Sequence, residues 1–171
     1  LNIGRELTDI EDLSFDFRKI KYELENPSDL RLFYVVKALK EGMTVDQIHR
    51  LTGIDEWFLS RIKDIVNLEE GITKKKSFEL IKDAKVMGFS DKKIGEMLGK
   101  TESEVREMRK KLNIAPVVKQ IDTMAAEWPA KTNYLYLTYG GQEDDINFKK
   151  KNKVIVLGSG TYCIGSSVEF D

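Results

Sequence analysis

A glycine-rich run near the C-terminus is the first place to look for chemistry. Gly158-Ser159-Gly160-Thr161-Tyr162-Cys163-Ile164-Gly165 has the spacing G-x-G-x4-G, two residues longer than the G-x-G-x-x-G turn of dinucleotide-binding proteins, and follows the apolar run Val154-Ile155-Val156-Leu157. Glycines after a buried strand let backbone amides approach an anion, and hydroxyls at the start of a following helix add donors. Gly158, Ser159, Gly160, Gly165, Ser166 and Ser167 are therefore the candidate anion-binding residues. A tight turn without a ligand is the plain alternative.

Little else offers chemistry. Cys163 has no histidine near it in sequence to act as a base, so nucleophilic catalysis is not expected of it. His49, with Asp46 and Arg50 beside it, is the only histidine and Cys163 the only cysteine, which excludes an internal disulfide and a zinc site built from those two residue types. It is expected at the surface rather than on a metal. Glu69-Glu70 and Asp144-Asp145 are adjacent in sequence, so their side chains diverge on a helix or strand. They read as solvated surface, like Lys74 to Lys76 and Lys149 to Lys151. No catalytic residue and no metal ligand is assigned.

The elements that would position these groups are mostly helical. Leu13, Phe17, Ile20 and Leu24 recur at spacings of 4, 3 and 4, and Asn26-Pro27 ends that helix. Ser28 is placed to cap a second helix with Asp29 in its first turn, and the apolar run Leu30 to Leu39, closed by Gly42, is hydrophobic around most of its circumference and so belongs inside the domain.

The chain then repeats itself. Gly42, Thr44, Ile48, Leu51, Gly53, Leu59 and Ile62 align at a constant offset of 46 with Gly88, Ser90, Ile94, Met97, Gly99, Val105 and Met108. Each copy reads as cap, two-turn helix, glycine, turn, second helix. Thr44 with Gln47 and Thr101 with Glu104 have capping-box spacing. A connecting helix over about 77 to 87 joins the two helical hairpins. Trp57, Phe58, Leu59, Ile62, Ile65 and Val66 make a bulky apolar stripe that mainly packs in the core and is also suited to self-association.

After Ile114 the character changes. Tyr134 to Tyr139 reads as an extended, buried segment, Gly140 to Asp145 as a polar connection, and Val154 to Leu157 as a buried parallel strand. A parallel strand needs a neighbour and a crossover, so residues 153–171 are expected to open an α/β domain that the sequence does not complete. The expected division is 1–139 helical, 140–152 linker and 153–171 the start of that domain. The fold class is mainly α: two tandem helical hairpins, an extended segment, and the first strand and glycine loop of a truncated α/β domain.

Composition sets the function classes. The 171 residues are 41% apolar and 33% charged, too apolar for disorder and too charged for a membrane span. Lys and Arg number 28 against 29 Asp and Glu, without the basic excess that draws proteins to polyanions. Ser90 to Leu112 has the form of a helix-turn-helix, but Glu102, Glu104 and Glu107 interleave with Arg106, Arg109, Lys110 and Lys111, the pattern of a solvated face. Neither nucleic acid nor membrane is an expected partner, and a reducing compartment is expected. The start at Leu1, without a methionine or signal pattern, suggests processing or a longer parent.

Several segments together resemble the large, ATP-consuming subunit of carbamoyl-phosphate synthase. They are Leu51-Thr-Gly-Ile-Asp-Glu-Trp-Phe-Leu59, Gly88-Phe-Ser-Asp91, Val105-Arg-Glu-Met-Arg109, Pro116 to Glu127, Thr132 to Tyr139, and Val156-Leu-Gly-Ser-Gly160 through Gly165 to Asp171, in the family's order from about residue 28 onward. Gln120-Ile-Asp-Thr, Tyr134-Leu-Tyr and Gly165-Ser-Ser-Val-Glu-Phe-Asp resemble the eukaryotic branch, often part of a multifunctional pyrimidine-pathway protein. Cys163 departs from the arginine common in the family, which removes a bidentate anion contact.

The resemblance implies a helical oligomerisation domain between two homologous synthetase halves, with the final strand and loop opening the second half. It implies a parent ligase that makes carbamoyl phosphate from bicarbonate, ATP and ammonia for pyrimidine or arginine synthesis. It also implies ATP with Mg or Mn in the parent and no cofactor in this segment. The implied partners are the other parent domains, a glutaminase subunit or domain and a second copy, in the cytoplasm or mitochondrion. A helix-turn-helix regulator and a small nucleotide-binding α/β protein are the competing readings.

Overall fold

In a computed structural model the described residues are 6–13, 16–121, 127, 135–146 and 154, and they carry seven α-helices and two short strands. The helices are α1 Phe17–Glu25, α2 Arg31–Lys40, α3 Val45–Thr52, α4 Glu56–Lys75, α5 Ile81–Val86, α6 Asp91–Leu98 and α7 Glu102–Lys111. The strands are β1 Val117–Gln120 and β2 Leu135–Thr138. Residues 6–116 with 138–140 form one compact unit, and the described residues of 117–137 and 141–171 belong to a second. Among the described residues no helix is long and apolar enough to cross a membrane.

The repeat is real and larger than two hairpins. At the offset of 46, α3 superposes in sequence on α6 and the start of α4 on that of α7, while α2 corresponds to the 3-10 turn Phe78–Leu80 plus α5. The connecting helix is thus the first helix of a second three-helix unit. Its opening turn is 3-10 rather than α.

Matched positions share backbone geometry. Gly42 and Gly88 have φ of 88° and 94°, and Gly53 and Gly99 have φ of 68° and 69°, left-handed values that cost a side-chain-bearing residue about 1 kcal/mol or more. After α2 the Met43 amide donates to Ala38 at 2.9 Å, and after α5 the Phe89 amide donates to Ala84 at 3.0 Å, the same six-residue closure in each copy. Thr44 and Ser90 accept the Gln47 and Lys93 amides as N-caps, and both expected capping boxes, at Thr44 and Thr101, are complete.

Each copy builds its own core. Phe33, Val35, Val36, Ile48 and Leu59 anchor the first, and Ile81, Ile94 and Val105 the second. Each such side chain withdrawn from water stabilises the fold by about 1.5–3 kcal/mol. The 20-residue α4, roughly 30 Å long, gives Leu59 and Val66 to the first core and Ile72 to the second. It packs on α2 and α3 at one end and on α6 at the other. As expected, α2 is buried along most of its length, from Phe33 to Leu39.

Four local readings change. The first helix begins at Phe17, where Asp16 accepts the Arg18 amide, so Leu13 lies before the helix although buried, and Phe17 is exposed. Ile10 and Leu13 join the first core ahead of the helix. Ser28 does not cap α2: its hydroxyl donates to the largely buried Glu23 carboxylate at 2.8 Å, and Leu30, without a side-chain cap bond, precedes the helix. The segment around β2 is extended but not buried: Tyr136 and Leu137 are exposed, since among the described residues β2 is paired only with β1 and a two-stranded ribbon leaves its faces open. Asp144 and Asp145 are not simply solvated, because they accept the amides of Val118 and Gln120, and Asp145 pairs with Lys119.

Candidate functional site

The candidate anion loop Gly158, Ser159, Gly160, Gly165, Ser166 and Ser167, with Cys163 and Lys149 to Lys151, lies outside the described residues. His49 is half-buried, with Nδ1 2.7 Å from the Ile54 carbonyl oxygen, so it ties α3 to the turn before α4. Among the described residues no group of three or more His, Cys, Asp or Glu side chains could hold a metal ion.

The polar chemistry of the helical unit is concentrated in two clusters. In the first, Lys93 of α6 is buried and donates to Asp9 at 2.5 Å, with Glu69 of α4 3.8 Å away. Glu69 is itself buried and pairs with Lys40 of α2 at 2.6 Å, so it is not the solvated carboxylate its neighbour suggested. The cluster joins the N-terminal segment, both repeats and α4 beside a cleft of about 380 Å³. Burial works against the Lys93 charge more than any single contact favours it, but the Asp9 hydrogen bond together with the charges of Asp9, Glu69 and Glu11 outweighs it and the ammonium pKa is raised. For Asp9 burial acts in the opposite direction, upward, and the bonds from Lys93 and the Glu6 amide with the charges of Lys93 and Lys92 bring its pKa below the usual carboxylate value.

The second cluster centres on Asp91, the buried first residue of α6. Arg109 Nε donates to it at 2.8 Å and Lys85 Nζ lies at 3.0 Å. Burial acts to raise its pKa, and the two cations together lower it. The Tyr139 ring covers both cations, 4.9 Å from Lys85 Nζ and 5.8 Å from the Arg109 guanidinium carbon. That contact anchors residues 138–140 on the helical unit. Because Arg109 is committed to Asp91, Arg106 to Glu102 and Lys110 to Glu107, α7 does not present a cationic reading face, and the helix-turn-helix reading is not favoured.

Sequence reasoning missed both clusters, although one signal was present. Lys93 occupies the position where the first copy has Gln47, and a lysine cannot return the hydrogen bond of a capping box. A broken box inside an otherwise faithful repeat marks a side chain employed elsewhere.

The apolar stripe divides. Leu59 and Val66 are fully in the core and Ile62 and Ile65 are half-buried, but Trp57 and Phe58 are 62% and 58% exposed, against the expectation of core packing. They lie on the first turn of α4, a position that faces away from the layer Leu59 enters.

Residues 1–113 match the family model described as carbamoyl-phosphate synthetase large chain, oligomerisation domain. The chain is 50% identical over 162 residues to human mitochondrial carbamoyl-phosphate synthase [ammonia], covering 92% of this chain and 10% of that protein. It is 48% identical over 154 residues to multifunctional protein pyr1-3 of Dictyostelium discoideum, 87% of this chain and 7% of that one. Against the carbamoyl phosphate synthase large chain of Sulfurisphaera tokodaii it is 50% identical over 141 residues, 81% of this chain and 13% of that one. The chain therefore spans about a tenth of the length of the relatives it matches.

Proposed function

The chain belongs to the carbamoyl-phosphate synthetase large-chain family as its oligomerisation domain, and from that premise we propose that it is the spacer and association surface of a longer synthetase. The parent joins bicarbonate, ammonia and phosphate from ATP into carbamoyl phosphate. ATP, with Mg or Mn, is bound by its synthetase halves. Its partners are those halves, a glutaminase subunit or domain, and a second copy. We place it in the cytoplasm, within a pyrimidine-pathway assembly. The mitochondrion is the second reading, favoured by the human relative's name.

Within this chain we propose that residues 1–139 make the spacer, 140–152 a linker, and 153–171 the opening of the following synthetase half. Gly158, Ser159, Gly160, Gly165, Ser166 and Ser167 would face an anion there. The observation that carries the spacer reading is α4, one 20-residue helix shared by two cores and pinned to the second copy by Glu69 and Lys93. Two cores on one beam cannot flex independently without breaking close-packed contacts. That is what holding two reaction centres in register requires.

The isolated chain should show no bicarbonate-dependent ATP hydrolysis. Robust turnover by it would overturn the assignment. In the full-length polypeptide, loosening the beam with Leu59→Ala should raise the ATP hydrolysed per carbamoyl phosphate formed. Unchanged stoichiometry in a folded variant would remove the spacer role.

A further inference from the structure

The aromatic pair on α4 is not explained by the fold that carries it. Trp57 and Phe58 are 62% and 58% exposed, their rings meet edge to face at 5.0 Å, and the Arg61 guanidinium lies 5.9 Å from the Trp57 ring. The repeat supplies an internal control, because the corresponding positions of the second copy are Ser103 and Glu104.

In the second copy Glu104 completes the capping box on Thr101, accepting the Thr101 amide at 2.8 Å. In the first copy Asp55 accepts the Trp57 amide at 2.8 Å, but Phe58, at the box position, returns nothing. The first copy thus forgoes a hydrogen bond and leaves two large rings in water where the same fold manages with a serine and a glutamate. Such a local cost points to contact with something outside the helical unit.

We propose that Trp57 and Phe58 dock into an apolar recess of a neighbouring domain of the same polypeptide, one that offers an acceptor for the indole N–H. The proposal rests on the reading of this chain as a segment of a longer synthetase. Area decides between that occupant and a second copy. Two aromatic side chains bury roughly 150–250 Å² each, well under the roughly 800 Å² per partner of a stable dimer. A tethered neighbour needs much less, because linkage holds it at millimolar effective concentration. The relatives place this region in chains roughly ten times its length, which supply such a neighbour.

The test compares hydroxyl-radical oxidation of Trp57 in the full-length polypeptide and in the 171-residue chain, read by mass spectrometry. Oxidation several-fold slower in the full-length protein is expected, and equal rates overturn the proposal. Trp57→Ser with Phe58→Glu, which installs the residues of the second copy, should leave the melting midpoint of the 171-residue chain unchanged or higher. Loss of folding would make the pair structural and also overturn it. Sedimentation of the 171-residue chain with and without the two substitutions should agree, whereas a dimer that only the unsubstituted chain forms would assign the pair to a second copy. Synthetase activity of the full-length protein is measured separately: protection of Trp57 without that activity would keep the docking and remove the parent reading.

Discussion

Gly71 and Gly95 both sit inside helices with ordinary helical backbone, yet alanine should act on them with opposite signs. Alanine gains roughly 1 kcal/mol of helix propensity over glycine at an unhindered site. At Gly71 a Cβ would meet only Leu80 Cδ1 at 3.8 Å, ordinary contact, so Gly71→Ala should stabilise by about 0.5–1 kcal/mol. At Gly95 the Cβ would fall 2.5 Å from the Lys100 carbonyl oxygen and 3.3 Å from two further backbone carbons. Backbone must move, at a cost of about 1–3 kcal/mol. The same shift weakens the Lys100 amide bond to the Gly95 oxygen, now 2.8 Å, for about another 1 kcal/mol. Set against the propensity gain, Gly95→Ala should destabilise by about 1–3 kcal/mol. In the first copy the turn stands off far enough to admit the whole His49 side chain at the matching position. Urea and thermal unfolding followed by far-UV circular dichroism measure both variants, with roughly 3 °C expected per kcal/mol for a chain of this size. Gly95→Ala as stable as the parent would refute the close approach, and a loss at Gly71 would refute the contrast between the two sites.

Lys93→Met should cost about 2–3 kcal/mol by stranding Asp9 and weakening the hold on Glu69, less than the roughly 3–5 kcal/mol of a fully buried pair because the Asp9 side chain is 33% exposed. A double-mutant cycle with Asp9→Asn in chemical denaturation measures the coupling. Asp9 and Asp91 have lowered folded pKa values, so their contribution is complete above the ordinary carboxylate value near 3.9 and is lost as pH falls through the folded values. Urea unfolding across acid pH should therefore show stability dropping below about pH 4, and Asp91→Asn should flatten that drop. Thr44→Ala and Thr101→Ala should each cost about 1 kcal/mol by opening a capping box, and a null effect in urea titration would show the boxes to be idle. Tyr139→Phe should hold its melting temperature, while Tyr139→Ala should lose a few degrees because only the ring face contacts Lys85 and Arg109.

The caps, the glycine stops and the repeat were legible in the sequence because each depends on residues within a turn of one another. A hydroxyl three residues before a glutamate, or a glycine after an apolar run, meets its partner whatever the rest of the chain does. The buried face of α2 was legible for the same reason, since its hydrophobic circumference leaves it nowhere else to go. Where local signals competed, the three-dimensional surroundings chose: Ser28 serves buried Glu23 rather than the helix beside it, and Phe17 yields its place in the core to Ile10 and Leu13.

The family, the tandem hairpins and the two capping boxes were thus set by the order of residues alone. Only the tertiary structure decided that the repeat has three helices with α4 common to both cores, that Glu69 is buried, and that Trp57 and Phe58 are not. It alone brought Lys93 to Asp9 across a separation of 84 residues, and Tyr139 onto the cations of α5 and α7. The physical reason is range. Backbone hydrogen bonds and caps are satisfied within a few residues, whereas a buried charge takes whichever counter-charge the packing of apolar faces delivers, and that packing depends on the whole chain at once.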